Sequence, residues 1–301
     1  MKKSKLSFGL FVAPSLIAFF IVVIIPTISG VLMSFTNWNG IDNNPEFVGL
    51  SNYVKVFTLD MVKTNFLTVE FEMPRFVNVF LFTAQFAVVS VLLINFFGFS
   101  LALLVTRGLK GSNLLRSIFF IPNLIGGLIL GFLWQFIFTK VFNNIGNVLG
   151  IEFLKGWLST TSTGFWGLVI LLSWQMSGYM MIIYIAAIQN IPTSLFEAAD
   201  LDGANFFQKM KNIIMPLVAQ AFTVGLFLTL SNSFKLFDQN LALTNGGPYL
   251  STQMLALNIY RTAFMQQDFG QGQAKAVLFL IAVAAITLTQ MSISKKKEVE
   301  Y

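Results

Sequence analysis

Long apolar runs alternate with short polar ones along the chain, and six of the apolar runs reach the length that a bilayer demands. Roughly 30 Å of hydrocarbon needs about 20 helical residues at about 1.5 Å each. Residues 8–35, 76–105, 116–138, 165–188, 216–236 and 274–292 meet that length and are predicted to be transmembrane helices. The first run follows Lys2, Lys3 and Lys5, as a cleaved leader would. Its apolar stretch is longer than a leader's, however, and no A-x-A-like cleavage site follows, so a retained span is expected, kinked at Pro26. Between the first two runs, Tyr53, Val56 and Phe57 fall at helical spacing and predict a short helix lying at the membrane interface. No repeat, low-complexity tract or separate soluble segment interrupts the pattern. One membrane domain over residues 1–301 is expected.

Composition agrees with the pattern. The chain is 55% hydrophobic and 11% charged, where a soluble domain carries about 25% charged residues. Lipid in place of water around much of the surface explains the deficit. Cys and His are both absent, which excludes disulfides, Cys/His metal sites, thiol nucleophiles and a histidine base. No Asp or Glu sits in the middle of any predicted span. A membrane enzyme would lack its acid and base there, and an ion-coupled secondary transporter its coupling carboxylates. No catalytic residue and no metal site is expected.

The net charge of +6 reads as orientation, with no need of nucleic acid. With the N-terminus inside, the inner segments hold Lys2, Lys3, Lys5, Arg107, Lys110, Arg116, Lys209, Lys211, Lys295, Lys296 and Lys297. The outer segments are about twice as long, yet hold only Lys55, Lys63, Arg75, Lys140, Lys155, Lys235, Arg261 and Lys275. This is the positive-inside pattern. It predicts an all-α membrane protein of six transmembrane helices with both termini cytoplasmic, and with the loop between spans four and five on the same side.

That loop, IPTSLFEAADLDGANFFQKMKNIIMP, is polar and patterned. Ser194-x-x-Glu197 fits a capping box that starts one helix, and Gly203 fits a left-handed stop. Asn205-x-x-Gln208 fits a second capping box, and Pro216 the start of the next membrane helix. Helix, sharp turn, helix is predicted. Ala198 and Ala199 make the first helix thin, while Phe206, Phe207, Met210, Ile213 and Ile214 give the second an apolar face. A solvated packing loop and a plug for a partner protein both fit these residues.

The segment resembles the EAA loop of ABC importer permeases: Glu197-Ala198-Ala199, Asp202-Gly203-Ala204, then Ile213-Ile214-Met215-Pro216, with Met215 where that pattern has Leu. The resemblance implies that the loop is a coupling helix docked on an ATP-hydrolysing subunit through Glu197, Ala198, Ala199, Asp202 and Gly203. No G-x-x-x-x-G-K-[ST] phosphate loop occurs in the chain. No cofactor is therefore expected here, and ATP and Mg belong to the partner ATPase.

Further fragments resemble the carbohydrate-uptake branch, similar to maltose- and glycerol-phosphate-type permeases. They are residues 34–40 (SFTNWNG), 47–53 (FVGLSNY), Phe237-Asp238 with 243–248 (LTNGGP), and 269–276, from Phe269-Gly270 to Ala276. Permeases for amino acids, metals or phosphate would share the loop and lack residues 34–40 and 243–248. The resemblance implies a heterodimer with a second permease subunit, two copies of a cytoplasmic ABC ATPase, an extracellular or periplasmic solute-binding protein, and a sugar substrate, in a bacterial cell membrane. The Gly246-Gly247-Pro248 turn is expected to face the binding protein.

Hydroxyls, amides and aromatic faces bind sugars. Ser173, Gln175, Ser177 and Tyr179 in span four, and Thr229, Asn232 and Ser233 in span five, supply them. Such groups also join helices with no ligand present. Alignment with maltose-type permeases brings Tyr179, Thr229, Asn232 and Ser233 near sugar-contacting positions, so Ser173, Gln175, Tyr179, Thr229, Asn232 and Ser233 are the expected substrate path. Trp134-Gln135 is expected as an interfacial anchor, and Lys235 is expected to pair with Asp238 at the outer end of span five.

Overall fold

The computed structural model describes residues 2–66, 69–108 and 110–295; Lys296 and Lys297, counted above for orientation, lie outside them. Helices account for most of the structure. In chain order they are α1 (Lys2–Phe19), α2 (Ile25–Met33), α3 (Ser51–Thr58), α4 (Arg75–Val105), α5 (Ser112–Phe120), α6 (Gly127–Phe136), α7 (Phe142–Leu149), α8 (Thr161–Gln189) and α9 (Thr193–Leu201). There follow α10 (Phe206–Lys209), α11 (Met215–Leu217), α12 (Ala219–Phe234), α13 (Asp238–Leu243), α14 (Leu255–Tyr260) and α15 (Phe269–Lys295). Among the described residues, five helical stretches are long and apolar enough to cross a membrane: Leu10–Met33, Arg75–Val105, Gly127–Leu149, Thr161–Gln189 and Phe269–Lys295. A sixth arises if the bent pair Phe206–Leu217 and Ala219–Phe234 is taken as one span.

Two of the predicted spans differ from expectation. The third was expected over residues 116–138, but the chain breaks at Ile121–Leu124 and the crossing helix runs Gly127–Leu149. Pro122 lacks the amide that a continuing helix needs, and Ile125 and Gly126 are extended (ψ 128° and 142°) before α6 restarts. The fifth bends by 67° at Val218, two residues after Pro216. In the first, α1 passes into α2 through a π turn at Phe20–Ile24, with Pro26 in the first turn of α2.

The chain divides into two compact units. The first contains Met1–Asn78 and Asn258–Ile281. The short helix expected near Tyr53 is α3, with Val56 buried and Phe57 exposed. Three of the fragments quoted above meet here. Asn52 donates to the carbonyls of Ser34 (2.9 Å) and Thr36 (2.7 Å), and the hydroxyls of Tyr53 and Ser34 lie 2.7 Å apart. The Gly270 amide donates to Trp38 O (2.9 Å), and Gly270 lies so close to Thr36 O that a Cβ would strike it. A β-hairpin that was not anticipated pairs β1 (Met61–Phe66) with β2 (Val69–Pro74) antiparallel, Met61 opposite Pro74. The apolar–acidic alternation from Val69 to Met73 carried the period-two signal, and an Arg75–Asp60 ion pair of 2.6 Å closes the hairpin's base.

The second unit contains Val79–Leu257 and Ala282–Tyr301, and α8 is its axis. Leu168, Leu171, Met180, Met181 and Tyr184 are fully buried around it. Small residues let neighbouring backbones approach it, as is usual between helices in lipid. At Gly178 a Cβ would fall onto the Phe119 carbonyl at the end of α5; at Gly98 of α4 it would stand 2.7 Å from Met180 Cβ. The same device seats α13 on α6, where Gly127 faces Asp238 and Gly131 faces Ala242.

Candidate coupling loop and translocation path

The loop between α8 and α12 is held stiff by local bonds. At the end of α9, Gly203 takes φ +70°, and two amides turn back: Ala204 N to Ala199 O (2.8 Å) and Gly203 N to Asp200 O (3.1 Å). This is the paired closure for which a glycine is favoured. Asn205 and Gln208 form the expected capping box at the start of α10, with bonds of 2.7 and 3.0 Å. Lys209 forms an ion pair with Asp200 across the turn, and the Arg107 guanidinium lies 4.9 Å over the Phe206 ring.

The first capping box is not formed. α9 begins at Thr193, capped by no side chain, because Pro192 sits extended (ψ 130°) as the last non-helical residue. Glu197 is thereby the fifth helical residue, too far along to reach back to the cap. It is exposed, like Ala198 and Asp202, while Ala199 is half-buried. The apolar face expected of the second helix also splits. Ile214 is buried and Met210 and Ile213 pack on the core, but Phe206 and Phe207 are exposed. Leu201 is 91% exposed. A stiff helix–turn–helix therefore presents bare apolar side chains among acids.

Inside the helical bundle, the six expected path residues do not form one cluster. Ser173 and Ser177, four residues apart, line an apolar cavity of about 650 Å³ with Leu93, Phe119 and Trp174. Gln175 and Tyr179 lie on the other side of α8, since two residues turn a helix by roughly 200°. Gln175 donates to Ile125 O (3.3 Å) and accepts from Gln239 (2.8 Å), and Tyr179 is half-buried against apolar neighbours. Thr229 is fully buried and its hydroxyl is already satisfied: it donates to Gly225 O (2.7 Å) and accepts from Asn95 (3.0 Å). Tyr184 donates to the same Asn95, joining α4, α8 and α12 at one node. Thr229 thus carries an interhelical bond. Asn232 is exposed and donates to Leu228 O (2.9 Å). The Ser233 hydroxyl is buried with no partner among the described residues.

Trp134 and Gln135 are half-buried: Trp134 packs edge-on against Trp174 (5.6 Å) and beside Phe138 (5.0 Å), and Gln135 donates to Leu243 O (3.1 Å). Lys235 and Asp238 are both exposed and form no ion pair among the described residues, because the chain leaves helical geometry at Phe237 between them. Asn95, Tyr184 and Gln239 were not singled out beforehand. The one amide in the apolar stretch over residues 86–105 was the signal for Asn95.

Outside the spans, the Gly246-Gly247-Pro248 turn is stitched to the chain that follows it. Asn240 donates to Thr252 O (2.8 Å) and accepts from the Met254 amide (3.0 Å), and Thr252 donates to Gly247 O (2.6 Å). Tyr249 projects fully exposed from this turn.

Helices long enough to cross a membrane, amides and hydroxyls between them and a stiff polar loop together have the build of a membrane transport subunit. The chain belongs to the family of binding-protein-dependent transport system inner membrane components, whose model matches residues 94–295. It is a permease subunit of an ABC importer. It is 53% identical over 298 residues to the probable starch degradation products transport system permease protein of Thermoanaerobacterium thermosulfurigenes, covering 99% of this chain and 97% of that one. It is 30% identical to the trehalose/maltose transport system permease protein of Thermococcus litoralis, over 98% of this chain and 95% of that one. A crystal structure of a bacterial ABC transporter involved in the import of the acidic polysaccharide alginate shares the fold. Its TM-score is 0.81 at 21% identity, over 98% of this chain and 96% of that one.

Proposed function

We propose that this chain is one of two permease subunits forming the path for a sugar or related carbohydrate, delivered by an extracellular or periplasmic solute-binding protein. Two copies of a cytoplasmic ABC ATPase supply the energy and hold the ATP and Mg. Residues 1–301 act as a single permease domain of six spans with both termini cytoplasmic. The substrate class is supported by the starch-product and trehalose/maltose relatives, which match along almost the whole chain. The observation that carries the mechanical part is the stiff loop from α9 to α10 with Leu201 bared at its turn. Bare apolar groups in a rigid frame suit a protein partner, and Glu197, Ala198, Ala199, Asp202 and Gly203 surround that point.

The loop joins α8 and α12 directly, and both helices are bound to α4 through the Tyr184–Asn95–Thr229 node. A displacement of the loop by the ATPase would pass along rigid helices into the bundle, where the path residues are carried on the same two helices. Ser173, Gln175, Tyr179, Thr229, Asn232 and Ser233 remain the proposed path.

Orientation is tested by cysteine labelling, which is clean because the chain has no cysteine of its own. A membrane-impermeant maleimide applied to intact cells is expected to label Tyr249→Cys and to spare Asp202→Cys; the reverse outcome would invert the topology. The path is tested by uptake into proteoliposomes. Tyr179→Ala and Asn232→Ala are each expected to slow transport several-fold with assembly intact, since a lost hydrogen bond is worth about 0.5–1.5 kcal/mol. Wild-type rates in both would reassign these residues to packing.

A further inference from the structure

Gln175 is the central residue of α8, with fourteen helical residues on either side. That places its side chain about 21 Å from each end of the helix, near the midplane if α8 spans the bilayer. It is 8% exposed. Two interruptions of regular helix meet it there. One is the extended pair Ile125-Gly126 between α5 and α6, whose Ile125 carbonyl accepts from Gln175 Nε2. The other is the non-helical Phe237 between α12 and α13, directly followed by Asp238 and Gln239. Gln239 Nε2 donates to Gln175 Oε1 at 2.8 Å, while Gln239 Oε1 takes no partner among the described residues. Non-helical backbone at membrane depth persists where protein or a wet cavity surrounds it, and in transporters such breaks border the substrate site.

From this juxtaposition we infer that Gln175 and Gln239 form an exchangeable amide clasp across the path, opened by insertion of a neutral hydroxyl of the substrate. The inference rests on the carbohydrate reading above and deepens it. The chemistry follows from the two ends of the clasp. Gln239 Nε2 is a donor and Gln175 Oε1 an acceptor, so whatever separates them must accept from one and donate to the other. A hydroxyl does both at one atom and leaves neither amide unsatisfied. A carboxylate cannot donate to Gln175, and an ammonium cannot accept from Gln239. Either would strand a buried polar group. Gln239 is therefore a specificity-determining partner of Gln175, carried on a short helix that the Gly127 and Gly131 contacts fix against α6.

The clasp is tested with Gln175→Leu, Gln239→Leu and the double variant, each purified with the second permease and the ATPase. The complexes are reconstituted with the binding protein, and radiolabelled maltose and maltotriose are the probes. The thermal midpoint of each complex is measured beside its uptake rate, well below that midpoint. Gln239→Leu leaves the Gln175 acceptor buried and unpaired and lowers the midpoint; the double variant removes that orphan and recovers part of the loss. If the clasp serves substrate, uptake stays roughly three- to tenfold below wild type in all three, whatever the midpoint does. Uptake that returns with stability in the double variant would make the pair structural and overturn the inference. A wild-type complex that carries neither probe would overturn the carbohydrate reading, and the clasp's proposed chemistry with it.

Discussion

Glu197→Lys is expected to leave the permease folded and inserted, yet to abolish substrate-stimulated ATP hydrolysis and uptake. The reason lies in what Glu197 does not do within its own chain. It is exposed, forms no ion pair among the described residues, and stands beyond the first turn of α9, where neither a capping bond nor the helix dipole holds it. A surface change of this kind moves stability by about 0.5 kcal/mol or less, so a large functional loss would report a contact outside the chain. Gly203→Val reaches the same loop by another route. At φ +70° a β-branched residue is strained by of order 1–2 kcal/mol, and with no atom within 4 Å of the missing Cβ the effect is on the backbone alone. The two closing bonds to Ala199 and Asp200 would loosen, and with them the Lys209–Asp200 pair that fixes α9 against α10. Co-purification with the ATPase and stimulated hydrolysis in proteoliposomes are the measurements. Should both variants retain the ATPase and full turnover, the loop is not the coupling element.

Gly178→Val is expected to be the most damaging single substitution in the membrane domain, preventing recovery of assembled protein. The backbone of α8 lies against the Phe119 carbonyl at that point, and even the first side-chain carbon would overlap it. Nor can the neighbour withdraw easily, since Phe119 packs on the core at the end of α5, next to the break at Ile121–Leu124. Overpacking a well-packed core costs typically about 1–3 kcal/mol, and here the added carbon meets backbone. Gly178→Ala should show a graded form of the defect, as a lowered thermal midpoint in detergent. Gly126→Ala is the internal control. It lies in the same interruption between α5 and α6, but its φ of −59° suits alanine and nothing stands within 4 Å of the added carbon. Equal behaviour of Gly178→Ala and Gly126→Ala would show that the α5–α8 contact carries little of the fold's stability.

Length and hydropathy act locally, so the runs that became Leu10–Met33, Arg75–Val105, Thr161–Gln189 and Phe269–Lys295 were legible residue by residue. So were the Gly203 turn and the Asn205–Gln208 cap, because each is closed by bonds between residues at most five apart. Ser194 shows the limit of that reading: the capping pattern was present, but Pro192 set the helix start two residues earlier. Helix faces were not legible. Buried residues surround α8 on most sides, so no apolar stripe tells which side meets α4, which meets α5 and which meets α13. That choice rests on glycines and amides whose partners are far away in the chain. Gly178 meets Phe119, Asn95 bonds Thr229 across 134 residues, and Gln175 joins Ile125 to Gln239. Ser173 and Gln175, neighbours in one polar cluster when read along the chain, point to different sides of the helix for the same reason. In lipid, where every span is apolar, burial alone favours no partner, and only close packing and hydrogen bonds between distant segments select the arrangement.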